Sequence, residues 1–293
     1  MQQRDFGNTG LKVSALGLGA GQIGDESLDE AAAGAVLNAA LDGGITLIDT
    51  ARGYGLSEER IGRHLAHRRA EFVLSTKVGY GIAGHADWTY GCVVAGVDEA
   101  LSRLRTDVID IVHLHSCPLE TLMAGGVIDA LLRTREQGKI RVAAYSGENA
   151  ELAWAVQSGH FGSVECSVNL FDQGSLHAVL PGAAAAGMGI IAKRPLGNAP
   201  WRHAQRPSGD YCETYWERMQ TLSLDTLGLP WDAFALRFSA YAPGVCSAIA
   251  GTALIAHLRH NVAIVETGAL TPAAMEQIGR RYRDAGGQWA GQI

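Results

Sequence analysis

The chain has 293 residues, 47% of them hydrophobic and 18% charged, with a formal net charge of −6. That content can bury a sizeable core in one large domain spanning residues 1–293, and the acidic balance argues against nucleic acid or an anionic membrane as a partner, since both reward basic patches. Five scattered cysteines without a C-x-x-C pair suit a reducing cytoplasm, and with no run of about 20 apolar residues and no basic, apolar leader, neither a membrane span nor a signal peptide is expected.

In chain order, Val13 to Leu18 reads as a first strand, followed by Gly19-Ala-Gly21-Gln-Ile-Gly24, which satisfies G-x-G-x-x-G. Taken alone that is a dinucleotide-binding fingerprint of a doubly wound sheet. The stretch from 44 to 65 then gives a strand, a turn and a helix. An apolar run through Ile45, Leu47 and Ile48 ends at Asp49, Gly53 and Gly55 bracket Tyr54, and Ser57 stands as a helix N-cap with Glu58 and Glu59 in the first turn. Phe72 to Lys77 reads as a third strand, with Trp88 on the loop after it. The basic run from Arg63 to Arg69 reads as a solvated helix face.

Helical spacing links Val94, Val97, Leu101 and Leu104, and again Met123, Val127, Ala130 and Thr134. Between these two helices lies the strand Val108 to His115. Its H-x-H, His113 and His115, could hold a metal, but nothing completes a site and no metal is expected; His113 reads as facing inward and His115 as standing at the rim. Further strands are Ile140 to Ser146, Ser163 to Val168, Gly189 to Arg194 and Ser247 to Gly251. An irregular stretch, Gly197 to Pro230 with a helix near Tyr211 to Leu222, reads as a lid. Helices over Leu254 to Glu266 and Pro272 to Asp284 close the chain, the second packed outside or beneath the strands.

Eight strands alternating with helices predict an α/β fold, a parallel (β/α)8 TIM barrel whose site lies at the C-terminal strand ends. Asp49, Lys77 and His115 all fall at such ends, and Tyr54 follows one of them. A phenol, an ammonium, a carboxylate and an imidazole form a proton-transfer set, in which Lys can depress a Tyr pKa and Asp can hold the Lys charged.

These four spaced motifs resemble the aldo-keto reductase family. The likeness runs from RDFGNTGLKVSALGLGAG through LSTK, IDIVHLHSCP, GKIRVAAYSG, ECSVNLFDQ and AKRPLGNAPW to AGTALIAHLRHN. It implies a barrel with an N-terminal hairpin and a long loop after the seventh strand, and a nicotinamide lying across the mouth. By that resemblance Tyr54 is the proton donor, Lys77 lowers its pKa, Asp49 orients Lys77, and His115 bonds the carbonyl oxygen and shares the proton. Cofactor contacts carry over to Ala20, Gly21 and Asp49 near the nicotinamide ribose, to Ser146 and Glu165 at the carboxamide, and to Lys193 or Arg194 with Pro195 and Leu196 beside the ring.

Gly147 stands where Asn is common and Glu165 where Gln is common; a carboxylate accepts from the amide NH2 but cannot donate to its oxygen. At position 194 an Arg plane could stack where an aromatic ring often does. Gly251, Thr252, His257 and Asn261 match the segment that grips adenosine and its 2′-phosphate, although Gly251 and His257 replace basic residues. The implied cofactor is NADP(H), with NAD(H) open. Trp88 is expected to wall the substrate pocket, for an aldehyde, ketone or sugar lactol. Two other functions fit the same likeness: a cofactor-holding regulatory subunit, and a sugar 1-dehydrogenase running oxidatively.

Overall fold

Strands that are apolar on both faces need cover on both faces, and a parallel ring inside a shell of helices supplies it. The computed structural model of the chain, which describes residues 1–287 and 289–293, has that arrangement. An antiparallel hairpin, β1 (Gln3–Asp5) and β2 (Lys12–Ser14), comes first. The ring then runs through β3 (Leu16–Gly19), α1 (Glu30–Asp42), β4 (Leu47–Asp49), α2 (Ser57–Leu65), β5 (Val73–Val78), α3 (Tyr90–Leu104) and β6 (Ile109–His115). It continues with α4 (Leu119–Ala124), α5 (Gly126–Glu136), β7 (Ile140–Ser146), α6 (Asn149–Ser158), β8 (Ser163–Ser167), α7 (Gly174–Ala178), α8 (Leu180–Ala185) and β9 (Gly189–Lys193). After β9 come α9 (Glu213–Leu222), α10 (Trp231–Ala240), β10 (Ser247–Gly251), α11 (Ile255–Glu266) and α12 (Pro272–Gly286). β10 pairs with β3, so eight parallel strands close into a barrel, as the alternation predicts.

The expected first strand is divided at Ala15. Val13 pairs with Arg4 in the hairpin, whereas Leu16 to Gly19 enter the barrel. Ser14 makes the handover: its N–H donates to Thr46 Oγ1 at 2.9 Å while its own hydroxyl accepts from the Thr46 N–H at 2.8 Å. Phe6 and Val13 then pack with Leu47, Val73, Ile111 and Ile191, so the hairpin plugs the N-terminal end of the barrel. That leaves the C-terminal end as the open one.

Ser57 is not the cap of α2. It is the first helical residue, buried, and its hydroxyl accepts from Thr50 at 2.7 Å and donates to Ala20 O at 2.8 Å. A fully buried hydroxyl does more by tying the loops after β3 and β4 together than by capping. In the insertion after β9, the helix starts at Glu213 rather than Tyr211, because Asp210 Oδ1 accepts the Cys212 N–H at 2.8 Å and holds the chain in a turn. α12 lies outside the ring against α9, and the tail beyond it returns to the C-terminal strand ends. There Gly291 N–H donates to Asn149 Oδ1 at 2.7 Å, and Gln292 N–H to Asp172 Oδ2 at 3.0 Å. No helix among the described residues is long and apolar enough to cross a membrane.

Candidate active site

Parallel register decides which side chains meet at the open end. Asp49 lies beside Ser75, Lys77 beside His113, His115 beside Ser146, and Ser146 beside Glu165. Lys77, 1% exposed, ion-pairs with Asp49 Oδ2, donates to Thr50 O at 3.0 Å, and has Glu165 Oε1 3.4 Å away. The other Asp49 oxygen accepts from the Ser75 hydroxyl at 2.7 Å. The Lys77 ammonium sits 5.4 Å from the centroid of the Tyr54 ring, and that ring meets His115 edge-on at 6.0 Å. The four residues singled out by type and position therefore converge on one rim.

Two further groups join them. Glu165 is a second counter-ion to Lys77, a role beyond the cofactor contact expected of it, and it appears because the ends of β8 and β5 meet across the barrel interior. Tyr80, not singled out from sequence, places its hydroxyl 2.7 Å from His115 Nδ1. Its one signal in the chain is a phenol three residues after a strand-ending lysine. His113 faces inward, fully buried, with Nε2 3.1 Å from Ser75 Oγ. Ligand atoms of Asp49, His113 and Glu165 lie within 4.8 Å of one another, but the cation they already enclose is the Lys77 ammonium.

Burial works against every charge here, so neighbours decide the protonation states. Burial opposes ionisation of Lys77, yet Asp49 and Glu165 outweigh it and push its pKa up. Burial and then the Glu165 charge push Asp49 up to about 7, while Lys77, His113 and Lys193 overcome burial at Glu165 and hold it at about 2. Two carboxylates on one ammonium titrate as a pair, with one proton lost far more readily than the other. Lys77 pulls Tyr54 down more strongly than any other influence, as the motif implies. Burial, Asp49, Glu165 and Tyr80 together outweigh that pull and leave the phenol at about 12, so the expected net lowering is not found. Burial and Lys77 press His115 down to about 3, which keeps its imidazole neutral.

A cleft of about 880 Å³ opens beside this cluster. Tyr54, His115, Asp49 and Glu165 form one wall, and Lys193, Arg194, Pro195 and Leu196 continue it. Gly21 borders the cleft beside the Tyr54 ring, Gly251, Thr252, His257 and Asn261 line the far end together with His260, and they are joined by Arg202 and Trp201, which sequence reasoning did not select. Ala20 and Ser146 lie fully buried behind the surface instead. The Ala20 N–H donates to Asp49 O at 2.8 Å, and the Ser146 hydroxyl to Glu165 Oε1 at 3.3 Å. Trp88 is not in the cleft wall; its ring covers Gly79 and meets Tyr80 edge-on at 5.9 Å.

The donor set fits a nicotinamide dinucleotide. Glu165 Oε2 is buried without a hydrogen-bond partner among the described residues, and Glu165 borders the cleft, an acceptor matched to a carboxamide NH2. At the far end α11 starts four residues beyond Gly251, so its unpaired N–H groups favour phosphate there. Lys193 is paired with Glu148 at 3.3 Å. Arg194 borders the cleft, but its plane lies over the Tyr211 ring at 5.1 Å, and its nitrogens donate to Ser167 Oγ, Tyr211 and Gln292 O. It ties the insertion and the tail to β9 instead of standing free to stack.

The profile described as "Aldo/keto reductase family" matches residues 15–282. L-galactose dehydrogenase of Arabidopsis thaliana is 27% identical over 294 residues, covering 90% of this chain and 88% of the plant protein. D-threo-aldose 1-dehydrogenase of Pseudomonas sp is 27% identical over 293 residues, covering 86% of this chain and 89% of its own. Among solved structures, the holo form of an aldo-keto reductase from Bacillus halodurans matches with a TM-score of 0.83 and 25% identity, over 98% of this chain and 97% of that one.

Proposed function

The chain belongs to the aldo/keto reductase family, an NAD(P)-dependent oxidoreductase acting on small carbonyl compounds, and from that premise we propose the roles of its residues, its cofactor preference and its substrates. The observation that carries the reading is the Lys77 ammonium held between Asp49 and Glu165, 5.4 Å from the Tyr54 ring and beside a dinucleotide-sized cleft. A bound nicotinamide supplies hydride from C4 when reduced and takes it up when oxidised.

Tyr54 gives its proton to the oxygen of the carbonyl as negative charge grows there. A phenol at about 12 is fully protonated at neutral pH and ready to donate, while Lys77 stabilises the phenolate left behind. Asp49 anchors Lys77. Neutral His115 donates a ring N–H to the same oxygen, a dipole already oriented before charge develops. Oxidation of an alcohol or lactol uses the same groups in reverse and requires Tyr54 without its proton, so its rate rises toward alkaline pH.

Glu165 Oε2 accepts from the carboxamide, and Ala20, Gly21 and Ser146 support the groups around it. Thr252 and Asn261 hold the adenosine end. Arg202, His257 and His260 beside them favour the extra phosphate of NADP(H) over NAD(H). Trp88 acts on the substrate pocket through Tyr80 from the layer behind. Two relatives are named as sugar dehydrogenases, which supports sugar lactols beside simple aldehydes and ketones as substrates. The 293 residues act as one domain, and five free thiols suit the cytoplasm.

Initial rates with limiting NADPH and NADH, on a panel of aromatic aldehydes, ketones and aldoses, test this reading. NADPH should give the higher kcat/KM by about tenfold, the effect of one charge-assisted contact. A clear advantage for NADH would reverse the cofactor assignment, and absence of turnover with every compound would refute the activity.

A further inference from the structure

Tyr80, in the loop after β5, takes no part in the mechanism above, yet it is in direct contact with a residue that does. Its hydroxyl stands 2.7 Å from His115 Nδ1, and the two rings lie 5.6 Å apart with a 30° tilt. A neutral imidazole carries one ring hydrogen, on Nδ1 or on Nε2, and what the other nitrogen bonds decides which. Among the described residues, Nδ1 is the one hydrogen-bond partner of the Tyr80 hydroxyl. If Nδ1 carried the hydrogen, the phenol hydrogen would have no acceptor among the described residues, and Nε2 would turn a lone pair toward an incoming carbonyl oxygen.

We propose that Tyr80 is a positioning residue: its phenol donates to His115 Nδ1, fixes the Nε2–H tautomer, and so gives the carbonyl oxygen a hydrogen-bond donor. This rests on the reading of His115 given under the proposed function. Burial raises the Tyr80 pKa, which keeps the phenol protonated as the donor.

The loop is built to hold this ring in place. Gly79 has φ +135°, and a Cβ there would lie 2.1 Å from Trp88 Cζ3, so the indole packs directly on the backbone preceding Tyr80. The Trp88 N–H donates to Gly79 O at 2.7 Å, and the indole meets the phenol edge-on at 5.9 Å. On the other side the Gly81 N–H donates to Asp87 Oδ1 at 2.8 Å, and Arg52 Nε to Gly81 O at 2.9 Å. Braced before and after, Tyr80 meets His115 from a fixed direction.

The test is ¹⁵N NMR of histidine-labelled protein near neutral pH, alongside steady-state reduction of an aromatic aldehyde, for wild type and Tyr80→Phe. Wild-type His115 should carry its hydrogen on Nε2. In Tyr80→Phe the His115 signals should shift and kcat should fall by about 10-fold or more, the cost of a misplaced hydrogen-bond donor, with the cofactor KM within about twofold. A wild-type hydrogen on Nδ1 overturns the proposal whether or not the variant folds. So does a variant in which either the His115 signals or kcat stay as in wild type. Wild type that reduces no carbonyl compound would instead count against the enzymatic reading, and the tautomer would still be measured.

Discussion

At the scale of single residues, the unusual feature is one ammonium shared by two buried carboxylates. Lys77 balances only one charge, so the site carries a surplus negative charge that acts on every titrating neighbour. Glu165 raises both Asp49 and Tyr54, and Glu165→Gln removes that charge while preserving shape. With its partner carboxylate gone Asp49 should titrate at lower pH in the variant, and the alkaline limb of alcohol oxidation that belongs to Tyr54, at about 12, should move to lower pH as well. Profiles of kcat for oxidation, wild type against variant, measure this, and coincident curves would show that Glu165 does not set the field. Asp49, Tyr54, Lys77 and His115 were legible in the sequence because each is a polar group ending an apolar run or standing on the loop after one. The second role of Glu165 and the contact of Tyr80 with His115 were not legible. The first depends on side chains meeting across the barrel interior and the second on how the loop after β5 folds back over the end of β6, and nothing in the spacing of a single chain records either.

At the scale of elements, the turn after β3 and the turn carrying Tyr54 are built against each other. A Cβ on Gly24 would lie 1.6 Å from Tyr54 O, one on Gly55, at φ +51°, would lie 2.3 Å from Gly24 O, and the Leu56 N–H donates to Gly24 O at 3.0 Å. The third glycine of G-x-G-x-x-G is thus required by close approach to the Tyr54 turn, and the sheet around it is a closed barrel instead of a doubly wound one. Motif and outcome differ because a glycine needed for backbone contact looks the same in sequence whichever backbone approaches. Gly24→Ala should displace the Tyr54 turn. Overpacking of this kind costs about 1–3 kcal/mol, read as a lower Tm, and kcat should fall more than cofactor affinity because the phenol moves while the far end of the cleft does not. A variant with wild-type kcat would show that the contact does not position Tyr54. The insertion after β9 was visible as a Pro- and Gly-containing stretch. Its fastening was not, since Arg194 reaches Tyr211 and Gln292 across 17 and 98 residues of chain.

At the scale of the whole molecule, the eight-fold alternation of apolar strands and amphipathic helices was readable because period and burial follow directly from residue type. Closing the ring with one end plugged by Phe6 and Val13 leaves the other rim open for polar strand ends, and that is why groups from β4, β6 and β8 share one cleft with Lys77 of β5 buried behind them. On this view cofactor binding and proton transfer are separable, since the cleft is built by the barrel and the proton comes from Tyr54 alone. The most direct test is Tyr54→Phe, assayed for both. NADPH at about 100 times its Kd should stabilise variant and wild type alike, by about 2.7 kcal/mol, seen as the same rise in Tm. Aldehyde turnover by the variant should fall by about 100-fold or more. A variant that binds NADPH normally and still reduces the aldehyde within about tenfold of wild type would contradict the assignment of the proton to Tyr54.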